Sequence, residues 1–178
     1  MGRLQITIIL LFAVSTIMVG QNQAKQALEW KTFNKDNYEI MHPADWEVDK
    51  SGQMGTSFIL FSPQAGPTDN FKENINLVAQ DLMGNKMTLD QYLELSMAQI
   101  KALITDSEII TSERIKEGDR EYQKVIYSGK QGIYDLKFEQ YFQIVEGKAY
   151  VLTFTCANDQ FEEYQPLGEK ILDSFKFR

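Results

Sequence analysis

The chain has 178 residues, 43% of them hydrophobic and 24% charged, with a formal net charge of −7. An acidic chain without basic runs argues against nucleic acid or an anionic membrane surface as partner, because both are held mainly by clustered Lys and Arg. Cys156 is the sole cysteine, which excludes an intramolecular disulfide as a staple for the fold.

At the N-terminus Arg3 precedes an uncharged run, Ile6 to Val19, which ends at Gly20 and gives way to the polar QNQAKQ. A basic start, a short apolar core and a small residue at its end are the parts of a secretory signal peptide. The apolar core is 14 residues, whereas a helix needs about 20 to span a bilayer. Residues 1–20 are therefore expected to be a removed signal peptide. Met18 stands where a small residue is expected for a cut after Gly20, so an uncleaved anchor is the alternative. Residues 21–178 are the size of one domain. That domain is expected to be periplasmic or secreted, with no stable membrane insertion and no lipid-bearing cysteine.

Beyond the leader, period-two alternation marks short strands. LEWKTF sets Leu28, Trp30 and Thr32 against Glu29, Lys31 and Phe33, and YEIMH repeats the pattern around Tyr38 and Ile40. TSFILFSP is a denser apolar run, QAGPTDN a loop, and NINLVAQDL a further strand ending before Gly84. A helix is predicted from Thr88, since Thr88 and Gln91 have the spacing of a capping box and Met87 and Tyr92 the staple positions. Leu89, Tyr92, Leu93, Ser96, Met97, Ile100, Leu103 and Ile104 recur at steps of three and four and are expected to face inward.

Four more strands are predicted between Asp106 and Ala157, with Gly118 and Gly147 in tight turns. Consecutive hairpins imply an antiparallel sheet, because parallel neighbours need long crossovers. In YDLKFEQYFQI, Leu136, Phe138, Gln140 and Phe142 share one face, expected in the core. Asp135, Lys137, Glu139, Tyr141 and Gln143 share the other, expected to be wet. The last segment reads as a helix entered through Asn158 or Asp159, with a break or a new start at Pro166. The architecture is α+β, an antiparallel β-sheet flanked by helices.

Two segments carry a resemblance. YEIMHPADWEV, with Tyr38, the apolar Ile40 and Met41, then Pro43 and, after two intervening residues, Trp46, is similar to the opening of the PsbP/Mog1/DcrB-like family. ILDSFKF resembles that family's closing helix and strand. The resemblance covers residues 28–178 and implies an α/β/α sandwich, a central antiparallel sheet with helices on both faces. It also implies binding or assembly work without known catalysis. Unlike the lipoprotein relatives, this chain offers no lipid-accepting cysteine, and no residue maps to a manganese or calcium contact.

Several residues invite a chemical reading. His42 could be a metal ligand or a general base, yet no second histidine exists and no cysteine lies near it. It is expected to be a half-exposed residue at a strand end, before a proline that keeps the backbone extended. Trp46 and Tyr38 are expected to be core aromatics, and Cys156 a small buried hydrophobe. DWEVDKSG has carboxylates at alternate positions, but Lys50 and Thr56 stand where a calcium loop needs glycine and glutamate. Tyr127, Tyr134, Tyr141 and Tyr150, together with His42, are the candidate ligand- or partner-binding residues, on the expectation that alternation leaves some of the tyrosines in solvent. The function expected from all this is an exported, non-catalytic domain that binds a protein partner. The alternative is a small-molecule or lipid-binding module with a pocket between the sheet and the Thr88 helix. No cofactor is expected.

Overall fold

The computed structural model describes residues 28–67, 69–118 and 120–178. The signal-peptide reading of residues 1–20 lies outside the described residues. Strands β1 (Trp30–Lys35) and β2 (Tyr38–Pro43) form a hairpin, followed by β3 (Glu47–Asp49), β4 (Phe58–Phe61) and β5 (Asn74–Asp81). Helix α1 (Leu89–Leu103) precedes four long strands, β6 (Thr105–Glu117), β7 (Arg120–Gln131), β8 (Tyr134–Val145) and β9 (Lys148–Ala157). Helix α2 (Phe161–Asp173) and β10 (Lys176–Phe177) complete the described chain.

The strands form two antiparallel sheets. Seven pair in the order β3-β4-β5-β9-β8-β7-β6, and three in the order β1-β2-β10. Gly118 and Gly147 have φ of 61° and 74°, the left-handed backbone that tight hairpin turns require. The two segments of the family resemblance meet in space: Lys176 and Phe177 of β10 pair with Glu39 and Tyr38 of β2.

Both faces of the large sheet are covered. One packs against the small sheet and α2, through Phe33, Tyr38, Ile40, Phe161, Ile171 and Leu172. The other packs against α1, through Ile100 on Val125, Leu136, Phe138 and Phe142. The expected wet face of β8 is therefore corrected: Glu139 is fully buried and Tyr141 and Gln143 nearly so, because α2 lies over them.

Helix α1 starts as its sequence dictates. Gln91 N donates to Thr88 Oγ1 at 3.3 Å and Thr88 N donates to Gln91 Oε1 at 2.9 Å, so each residue satisfies a free amide of the other. Leu103, expected inward, is instead 77% exposed, since the end of α1 overhangs the sheet. Helix α2 is flanked by Gln160 rather than Asn158 or Asp159, and it runs through Pro166 without a break. Proline removes one amide, which would have bonded the Glu162 carbonyl one turn earlier. Both residues are exposed, while Phe161, Gly168, Ile171 and Leu172 hold the opposite side of the helix in the core.

Candidate functional site

The long strands are more polar than a closed core requires on the face toward α1. Alternation along β5 sends Ile75 and Leu77 into the α2-side core and Asn74, Asn76 and Val78 to the other face. Cross-strand register assembles their neighbours. Asn74 lies opposite Thr155, and Asn76 opposite Thr153. Thr155 in turn faces Phe138, and Thr153 faces Gln140. Two adjacent rows of amides and hydroxyls thus cross the middle of the sheet.

Over these rows the protein leaves an open groove of about 520 Å³, within the range of about 300–1,000 Å³ typical of small-molecule sites. Its floor is β5, β9 and β8, continued by Tyr127 of β7. One wall is α1, through Tyr92, Ser96, Ile100 and Leu103, and the other is the turn that carries Met54 and Thr56. Among the described residues, none that lines it is charged at neutral pH. Gln140 Nε2 donates to Thr153 Oγ1 at 2.9 Å, while Gln140 Oε1 is buried without a partner among the described residues. At one end Tyr92 donates its hydroxyl to Gln80 Oε1 at 3.0 Å.

The turn on the far wall is strained. Gly52, Met54 and Gly55 all have positive φ, at 75°, 53° and 77°. Methionine pays a steric penalty in that region that glycine does not. Its side chain is nevertheless 86% exposed at the groove's lip.

The candidates chosen from sequence are scattered. His42 is buried at 4% exposure, which corrects the half-exposed expectation: it shares the inward side of β2 with Tyr38 and Ile40. Its Nδ1 lies 2.8 Å from the Pro43 carbonyl, so the nitrogen that faces this acceptor carries the hydrogen. Tyr141 and Tyr150 are buried in the α2-side core, the former donating its hydroxyl to Asp173 Oδ1 at 3.1 Å. Tyr127 is buried on the α1 side, stacked on Phe138 with centroids 4.7 Å apart, and it lines the groove. The expected solvent-facing tyrosine patch therefore reduces to Tyr134, whose hydroxyl donates to the Asn70 carbonyl at 3.2 Å. Tyr38 and Trp46 are core residues, as expected.

Cys156 is fully buried, with its sulfur 3.7 Å from Glu73 Oε1. Burial and the neighbouring Glu73 carboxylate push the thiol's pKa well up, so it stays protonated. Among the described residues, no three His, Cys, Asp or Glu side chains converge to hold a metal ion.

A second charged assembly sits beneath α2. Lys124 Nζ donates to Glu169 Oε1 at 2.6 Å and lies 3.0 Å from the fully buried Glu139. Burial works against the Lys124 charge, but the two carboxylates outweigh it and its pKa is pushed up to about 12. Burial raises the Glu139 pKa, and Lys124 offsets only part of that rise.

No family model matches the chain, and no curated protein matches it in sequence. Solved structures do match. The solution structure of the cyanobacterial PsbP of Synechocystis sp. PCC 6803 superposes with a TM-score of 0.64 at 18% identity, over 85% of this chain and 92% of that one. The chain has the PsbP-like fold. PA94 of Pseudomonas aeruginosa, a protein of unknown function, shares this PsbP-like fold with a TM-score of 0.60 at 12% identity, covering 84% of this chain and 97% of that one. LpqN of Mycobacterium tuberculosis, involved in cell envelope biogenesis, matches with a TM-score of 0.57 at 11% identity over 86% and 92% of the two chains. At these identities the PsbP-like fold is what is shared, and function rests on the site. Among the described residues no helix is long and apolar enough to cross a membrane.

Sequence reasoning missed the groove floor. The signal was present in pieces, as the polar alternation of Asn74 and Asn76 and of Thr153 and Thr155. Only the strand register joins those pieces.

Proposed function

We propose that this chain is an exported, non-catalytic accessory domain that holds a small molecule in the groove between its large sheet and α1. The observation that carries this reading is the groove itself, with buried Thr153, Thr155 and Tyr127 on its floor. The groups with most chemical potential support binding over catalysis, since His42 and Cys156 are buried and neither lines the groove. An envelope role is supported by the leader-like N-terminus and by the fold shared with LpqN.

The test uses N-phenyl-1-naphthylamine, an uncharged probe that fluoresces in apolar sites. Saturable enhancement is expected for the wild type and its loss in Ser96→Trp, which fills the groove from α1 at a half-buried position. Equal enhancement in the two proteins, with unchanged melting, would place the probe elsewhere and sink the reading.

A protein partner is the second reading, favoured by the tip of the β7–β8 hairpin. There Ile133 is 92% exposed beside the partly exposed Tyr134. In-cell crosslinking should give a defined adduct that Ile133→Ser removes; an adduct indifferent to that change would dismiss the hairpin as its site.

A further inference from the structure

Resting on that groove reading, we infer that the ligand is an uncharged amphiphile, with an apolar body against the walls and a hydroxyl- or amide-bearing head on the polar floor. The neutrality of the lining is the first argument. One residue in four of this chain is charged, yet among the described residues no charged one lines the groove. A carboxylate or ammonium head brought there would leave water without a counter-charge, which is strongly unfavourable.

The floor chemistry is the second argument. Asn76, Thr153 and Gln140 stand side by side on adjacent strands, which are about 4.8 Å apart, and Asn74 and Thr155 form the next row. Amide and hydroxyl side chains both donate and accept. A hydroxyl or amide head answers both roles, whereas a carboxylate can only accept and an ammonium can only donate.

Gln140 supplies the third. One of its amide atoms is occupied by Thr153, at 2.9 Å, and the other is buried with no partner. Exchanging the amide oxygen and nitrogen leaves the same vacancy with the opposite polarity, and a hydroxyl satisfies either. Native proteins rarely leave such an atom unpaired, and Gln140 is one of the residues that line the groove. The apolar body has its own surroundings in Val78, Phe142, Ile100 and the exposed Met54 at the lip.

The experiment is displacement of N-phenyl-1-naphthylamine by three twelve-carbon chains, each below its micellar concentration. The neutral monoacylglycerol should displace the probe at concentrations at least about tenfold lower than the fatty acid or the alkylamine, a ratio equivalent to about 1.4 kcal/mol. Gln140→Met, which keeps the volume and removes the polar group, should bring the three to within about threefold, each displacement being read against that variant's own probe affinity. Asn76→Asp should shift the preference toward the alkylamine. If the wild type takes the fatty acid or the alkylamine as readily as the monoacylglycerol, the inference is overturned, whatever the variants do. A Gln140→Met protein that melts normally and keeps the full preference overturns it as well. Failure of the groove reading looks different, because the probe would then show no saturable uptake or would ignore Ser96→Trp.

Discussion

His42 keeps a neutral ring, because burial lowers its pKa, the bond to the Pro43 carbonyl only partly opposes this, and Lys31 adds to the lowering. Lys31 sits directly opposite it in the β1–β2 hairpin. The unfolded imidazole titrates near about 6.5, above the folded value. Its contribution to stability is therefore complete above that pH and is lost as pH falls through the folded pKa. Denaturant midpoints of the wild type should fall between pH 7.5 and 5.5 relative to those of His42→Asn, whose amide nitrogen can replace Nδ1; parallel curves would show that His42 does not titrate across folding. Met54 presents the opposite balance, with a strained backbone and an exposed apolar side chain. Met54→Gly should leave stability unchanged or raise it by up to about 1 kcal/mol, while weakening uptake of N-phenyl-1-naphthylamine. A destabilised variant with normal uptake would mean that Met54 is structural.

Lys124, Glu139 and Glu169 join β7, β8 and α2 through one shared ammonium. Lys124→Met would leave Glu139 buried without a cation, an arrangement that costs about 3–5 kcal/mol. Unfolding in urea should show this loss, and Lys124→Met with Glu139→Leu should recover most of it; a single variant as stable as the wild type would show that Glu139 is already protonated. The raised Glu139 pKa works in the sense opposite to His42. Its folded value lies above the unfolded one, so its contribution is full below the unfolded pKa and is lost as pH rises through the folded value. At this scale the start of α1 was legible, since a capping box is a contact within four residues. The burial of both β8 faces was not legible in the strand's own alternation, because Glu139, Tyr141 and Gln143 look like a solvated face until α2 is placed over them. Pro166 misled for a related reason: the rule that proline breaks helices weighs one lost bond, and here the helix is held by Phe161, Ile171 and Leu172 in the core while Pro166 stands on its exposed side.

For the molecule as a whole, the short β10 is a keystone for the side of the core under α2. Phe175 is nearly fully buried, meets Tyr38 at 5.4 Å and meets Phe177 at 5.3 Å between ring centroids. Phe175→Ala should cost about 3–5 kcal/mol, read as a drop in the urea midpoint; a loss below about 1 kcal/mol would mean the end of the chain is dispensable. The strands, both helices and the antiparallel plan could be read from alternation, capping and turns. The family resemblance, carried by Tyr38, Pro43 and Trp46, anticipated helices on both faces. A pocket between the sheet and the Thr88 helix was among the readings, but its polar floor could not be read in the same way, because Asn76, Gln140 and Thr153 become neighbours only through pairing between strands far apart in the chain. Tyr141 and Tyr150 misled as solvent-facing residues because a strand's period says which residues share a side, not which side stays open, whereas Tyr127 is buried and still lines the groove. The pairing of β10 with β2 also sets an order of events during synthesis. Hairpins β6–β9 can form as they emerge, but the first strands wait beside an unfilled edge until residues 176–177 are free of the ribosome. That edge is closed by a pairing across almost the whole described length of the chain, the kind of contact whose loop entropy makes a fold slow to complete.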